Sequence, residues 1–247
     1  EYPLLKGQEI LWPGKYPTMD DVEAEKRKAG NEFAYQREYL LHIVPDEEQA
    51  IHREWIQYYD KLPDRHAKDR YGYSKYNGVY IGVDLAISKR DTADYTAMVP
   101  GWLFGDGSDC IIYILPKIIN RRMSFPETVE TCKILNKTYK DDGWSNPTFV
   151  IEDVAYQKAL PQQLENEGIW EVKTVRPGNQ DKRSRLVLTA HLIKTGKVLF
   201  PREGAEELIS QIVHFGVEKH DDLADAFSSM VLSVIEDPPV TPRIIFI

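Results

Sequence analysis

Several carboxylates stand where burial would be expensive without a positive partner. Asp84 closes the apolar run YIGVDLA, Glu152 and Asp153 interrupt PTFVIEDVAY, and Asp221, Asp222 and Asp225 crowd the stretch KHDDLADAF. Asp94, in DTADYTA, precedes the next apolar run and could approach Asp84 if the two runs pair as a hairpin. A carboxylate taken out of water needs a hydrogen-bonded partner or a cation. An all-oxygen set suits hard divalent ions, and two ions roughly 3.5–4 Å apart can clamp a phosphodiester. The chemistry on offer is metal-assisted phosphoester hydrolysis. Each acid also has a plainer use: a strand-end carboxylate can start a turn, and aspartates at a helix start can cap orphan N–H groups. His220 adjoins the last group but stands alone, and Cys110 and Cys132 suit two buried free thiols, so no His/Cys array competes for zinc.

Strands and helices must bring these groups together. GVYIGVDLA, DYTAMVPGWLF and CIIYILPKII read as strands, and SFPETVETCKILNKTY as a helix capped by Ser124 with Glu127 at capping-box spacing. PTFVIEDVA reads as the next strand, YQKALPQQLENEG as a helix ending at Gly168, and WEVKTVRP as a strand. DKRSRLVLTAHLIKTG, EGAEELISQIVHF and DDLADAFSSMVLSVIED read as helices, with KVLFP a short strand among them. Side chains alternate along a strand, so Phe149, Ile151 and Asp153 share one face and Val150, Glu152 and Val154 the other. That pattern does not say whether Glu152 or Asp153 faces a site. On the last helix Leu223, Ala226, Phe227, Met230 and Val234 form an apolar stripe. Asp222 lies at its edge, facing the sheet; Asp225 lies further round, and Asp221 points away and suits an N-cap.

The order of elements predicts an α/β domain over residues 71–236, built on a central mixed sheet of five strands flanked by helices. Residues 1–70 read as a mostly helical lead-in. Within it TMDDVEAEKRKAGNEFAYQREYL is a helix capped by Thr18, and DEEQAIHREWIQYYDKL a second helical piece. The tail 237–247, containing PPVTPRIIFI, fits no element clearly. The net charge of −8 argues mildly against tight nucleic-acid binding, yet Lys173, Arg176, Lys182, Arg183, Arg185, Lys194, Lys197 and Arg202 form a basic segment broken only by Asp181. No apolar run approaches spanning length, and EYPLLKGQEI lacks the features of a secretory signal, so a cytoplasmic protein without membrane contact is expected.

At these residues the chain resembles the C-terminal nuclease domain of tailed-phage large terminase subunits, DNA-packaging motor proteins with an RNase H-like fold. YIGVDLAISKRDTADYTAM resembles that family's first acidic strand and hairpin, FVIEDVAYQKALPQQL its second acidic strand, and HDDLADAF its closing acidic helix. NQDKRSRL through IKTGKVLFP is similar to a basic segment near the site, and LWPGKYP with FAYQREYL through EWIQYYDKLP to the piece joining an ATPase half. The resemblance implies an endonuclease cutting concatemeric double-stranded phage DNA with little sequence preference. It implies Asp84, Glu152 and Asp222 as catalytic ligands of two Mg²⁺ or Mn²⁺ ions, with Asp94, Asp153, Asp221 and Asp225 as further ligand candidates. Lys182, Arg183, Arg185, Lys194 and Lys197 would contact DNA phosphates, which position a duplex without reading it. The implied partners are the ATPase domain of the same protein, the portal protein and the small terminase subunit, in the host cytoplasm during assembly. The phosphate loop G-x-x-x-x-G-K-[ST] is missing, KTGKV lacking the first glycine and the hydroxyl, so no DNA pumping is expected of this segment. Other enzymes of the same architecture, such as a junction resolvase or a strand transferase, would use similar acids. A small-phosphoester hydrolase would not need so long a basic segment, and a non-catalytic DNA-binding adaptor would use the acids only as caps and turns.

Overall fold

The structure, a computed structural model, describes residues 3–6, 9–28, 39, 49–85, 95–105, 107–140, 146–153, 159–176, 181–216 and 220–238. Asp94, the latter part of the first expected helix and the tail from 239 lie outside the described residues.

The sheet is mixed, with helices on both faces, as the order of elements requires. Among the described residues it has eight strands rather than the five expected. These are β3 (Tyr58–Tyr59), β4 (Tyr76–Asp84), β5 (Tyr95–Phe104), β6 (Ile111–Ile114), β7 (Ile119–Arg122), β8 (Thr148–Glu152), β9 (Val172–Val175) and β10 (Val198–Pro201). The spatial order is β3-β10-β6-β5-β4-β8-β9, with β7 also on β5. Strand β5 is long enough to pair with β4 along one edge, and with β6 and then β7 along the other, all antiparallel. CIIYILPKII is therefore two strands: the chain breaks at Pro116 and Lys117, where φ is +84°. β8 runs parallel to both β4 and β9, which places the carboxyl ends of all three at one rim of the sheet.

Helices α2 (Phe125–Tyr139) and α3 (Ala159–Asn166) cover one face. Their Val129, Cys132, Leu135, Leu160 and Leu164 pack with Ile81, Val83, Phe149 and Ile151. Ser124 and Glu127 form the expected capping box on α2. Gly168, with φ +80°, follows α3 and turns the chain in a conformation costly to any residue with a Cβ. On the other face lie α4 (Lys182–Lys194), α5 (Glu206–Val213) and α6 (Asp222–Glu236), with Leu186, Leu208, Phe227 and Met230 packed on Val99, Ile112 and Phe200. Cys110 and Cys132 are buried free thiols.

The lead-in differs from its expected form. Helix α1 covers Met19–Lys28, and Thr18 and Asp21 cap it reciprocally. It packs with β1 (Leu5–Lys6) and β2 (Glu9–Ile10) through a small cluster of Leu4, Tyr16 and Val22. Among the described residues of DEEQAIHREWIQYYDKL, only Arg53–Trp55 is a helical turn, and Tyr58–Tyr59 is β3, parallel to β10. Ile51 and Ile56 are buried in the main core, so residues expected in the lead-in complete the sheet and its packing. Among the described residues no helix is long and apolar enough to cross a membrane.

Candidate active site

Strand parity decides which acids can meet. Gly82 faces α6 so closely that an added Cβ would strike the Ala226 carbonyl oxygen, so Asp84, two residues on, faces α6 as well. Gly82 pairs with Val150 across β4 and β8, which places Glu152 beside Asp84 on the same face. Asp153 falls on the opposite parity, past the strand end, where Arg176 Nε meets it at 3.2 Å. Of the pair left open by the sequence, Glu152 is the one at the site.

Helix α6 brings Asp225 to Glu152 through Arg185, with Asp222 further out toward His220. Asp225 is 4 % exposed. Its Oδ1 lies 3.3 Å from Arg185 Nη2, and its Oδ2 is paired with Lys182 Nζ. Arg185 Nη1 in turn binds Glu152 Oε1, which also accepts a 2.8 Å hydrogen bond from Ser229 Oγ. Asp222 is only half-buried and lies toward His220, whose Nδ1 is 3.8 Å from Asp222 Oδ2. Asp221 stands at the N-cap position without a side-chain cap bond, because its carboxylate is turned to Lys182 Nζ at 3.1 Å. The side chain that does satisfy the start of α6 is Gln211 of α5, whose Oε1 accepts from Leu223 N at 2.9 Å.

The basic segment is split. Arg185 is buried, and Lys182 is bound to Asp221 and Asp225, so both serve the acids of their own chain in this arrangement. Lys194 is at the far end of α4, over the Trp55 ring at 5.0 Å, and Lys197 pairs with Asp109 at 3.5 Å. Arg183 is partly exposed in the first turn of α4. Two arginines stand at the rim, Arg122, which the sequence reading did not single out, and Arg176, which it placed only in the basic segment. Arg122 at the end of β7 lies over the Tyr95 ring, and that ring lies 4.7 Å from the imidazole of His220. Arg176, 88 % exposed, flanks the opposite side at the end of β9. The signal for Arg122 was NRR directly after an apolar run.

The electrostatics fit a cation site. Burial first, then Asp225 and Glu152, hold the Asp84 carboxyl well above the usual range, with Lys182 opposing them and Asp222 adding to them. Burial also raises Asp222, helped by Asp221, and pushes Asp225 up to about 6 against the pull of Lys182. Asp222 Oδ2 is buried without a hydrogen-bond partner among the described residues. The donors are all oxygens, as a hard divalent ion requires. Among the described residues no three acidic, His or Cys side chains form a ligand cluster; Arg185 stands between Glu152 and Asp225, and Lys182 between Asp221 and Asp225.

A raised carboxyl pKa means that the fold holds the proton more tightly than the unfolded chain does. Its destabilisation is absent below the ordinary value of 3.8, grows as pH rises through about 6, and is complete above it. In chelator, the unfolding midpoint of the wild type should therefore fall by roughly 5 °C more than that of an Asp84→Asn, Asp225→Asn double variant between pH 5 and pH 7.5. Scanning calorimetry at matched ionic strength checks this; equal falls would refute it.

No protein-family model matches the chain, and no curated protein matches it. Solved structures do. The human cytomegalovirus terminase nuclease domain, manganese-soaked with an inhibitor bound, is 16 % identical over 76 % of this chain and 96 % of its own, with TM-score 0.49. The large terminase nuclease domain of Thermus phage P74-26 is 14 % identical over 77 % and 97 %, with TM-score 0.47. The large terminase of bacteriophage HK97 is 14 % identical over 94 % of this chain and 56 % of its own, with TM-score 0.43. These three solved structures are one large terminase and two terminase nuclease domains, from phages and from cytomegalovirus.

Proposed function

We propose that the chain is a divalent-metal-dependent endonuclease acting on double-stranded DNA during phage genome packaging. The observation that carries this reading is that Asp84, Glu152 and Asp225, far apart in sequence, lie at one rim of the sheet beneath α6, near enough for the charges of the last two to act on Asp84. They would hold the ions, Mg²⁺ or Mn²⁺, with Asp222 and Asp221 at the margin. Bound there, a pair of ions would supply Lewis acidity to the hydrolysis of a phosphodiester. The chain's own residues do the rest. Arg185 and Ser229 fix the Glu152 carboxylate, and Arg185 fixes Asp225. Arg122 on one side and Arg176 on the other can hold backbone phosphates, with Arg183 nearer the start of α4. Two flanking arginines and an acidic whole chain suit weak binding by the domain, raised by tethering to an ATPase half and a portal. The small terminase subunit is the remaining expected partner, and the host cytoplasm the setting.

Asp225→Asn should lower Mn²⁺-dependent breakage of linear duplex DNA by at least about 100-fold, and Asp222→Asn by only about tenfold, since Asp222 stands further out. Gel assays on proteins matched by thermal midpoint measure both. The pairing of Lys182 and Arg185 with the acids favours one rival, an adaptor whose carboxylates are structural. Absence of cleavage from the wild type would select that rival, whereas full cleavage by Asp225→Asn would remove Asp225 from the site.

A further inference from the structure

Both oxygens of Asp225 are already engaged, Oδ1 by Arg185 and Oδ2 by Lys182. A divalent ion at Asp225 would stand against one of these two cations on a shared oxygen, and like charge favours the departure of the more loosely held one. The two are held differently. The Arg185 side chain is 9 % exposed, and its planar guanidinium bridges Glu152 and Asp225 under α6, so moving it uncovers two buried carboxylates. Lys182 is the first residue of α4, its side chain is 52 % exposed, and its flexible stem can carry the ammonium into water. Its Nζ also holds both Asp221 oxygens at 3.1 Å, so it sits among acid oxygens as a small hard cation would.

We infer that Lys182 is an exchangeable resident cation of the carboxylate pocket, competing with the divalent ion for Asp225 Oδ2, while Arg185 is a positioning residue that stays and aims Glu152 and Asp225. This rests on the metal-dependent reading above. Lys182 thereby sets the metal concentration at which the site fills, and its release frees an ammonium beside the rim where phosphates would lie.

Isothermal titration of Mn²⁺ into DNA-free protein tests the exchange apart from cleavage. Lys182→Met should bind Mn²⁺ roughly tenfold more tightly than the wild type, and Lys182→Arg, which keeps the charge, no more tightly than the wild type. Equal or weaker binding by Lys182→Met, with clear binding by the wild type, overturns the inference and leaves the nuclease reading standing. No Mn²⁺ uptake by either protein overturns both. Wild-type protein gives a second measurement should the variant fail to fold. The ε-methylene carbon resonance of Lys182 should move toward that of a free lysine as Mg²⁺ saturates the site, and a resonance that stays in place overturns the exchange.

Discussion

Asp84→Asn should abolish Mn²⁺-dependent DNA breakage, by roughly a thousandfold or more, while raising the unfolding midpoint of the protein in chelator by a few degrees. The two effects have one cause. Asp84 is drawn into the sheet rim beside Glu152 and under Asp225, where burial and like charges both oppose its ionisation. An amide of the same shape carries no charge into that setting, so the fold loses a repulsion. It also loses the carboxylate that would complete an oxygen site with Glu152 and Asp225, and several kcal/mol of charge stabilisation corresponds to two or three powers of ten in rate. A structural acid behaves otherwise, since removing a paired carboxylate leaves its cation unmatched and lowers the midpoint. Calorimetry in chelator with a gel assay in Mn²⁺ reads both. A lowered midpoint or surviving cleavage would remove Asp84 from the site.

The sequence made the scaffold legible where periodicity and caps are long enough to read. Helix α2 begins at Ser124 with its capping box, and β4, β5 and β8 lie where their apolar runs fall. Short pieces were not legible: Tyr58–Tyr59 is two residues, too few to show alternation, and its place beside β10 comes from long-range packing. Asp84 and Glu152 could be nominated from strands, but choosing Glu152 over Asp153 from the residues required the register of β8 on β4, which sequence alone does not supply. The burial of Asp225, deeper than that of Asp222, was not legible for a related reason. Helix α6 is buried nearly all round, so its apolar stripe does not mark one inward side, and Asp225 enters the seam between α4 and the sheet. The basic segment was read for external phosphates, whereas an acidic pocket draws the nearest cations of its own chain. Lys182 and Arg185, one turn apart on α4, therefore face inward together.

The same seam makes Gly82 the most sensitive backbone position at the site. Gly82→Ala should cost at least about 3 kcal/mol, a fall of roughly 6–12 °C in midpoint, and any protein that still folds should cut poorly. An added Cβ there meets the Ala226 carbonyl oxygen and carbon and, at 2.8 Å, Met230 Cβ, which are parts of α6 that cannot swing aside. Helix α6 must lift from the sheet, carrying Asp225, next to Ala226, away from Asp84 and Glu152. A displacement of about 1 Å at a reacting constellation can cost roughly 100-fold in rate. Gly101→Ala tests the mechanism by contrast, because its Cβ meets mainly the flexible end of Met230, at 2.9 Å to Cε, and Ile112 Cγ2 at 3.0 Å. It should cost less than Gly82→Ala. Gly14→Ala, with nothing within 4 Å, should stay within about 0.5 kcal/mol of the wild type. If Gly82→Ala ranks with Gly14→Ala in chemical unfolding, α6 does not rest on β4, and the approach of Asp225 to the strand acids fails with it.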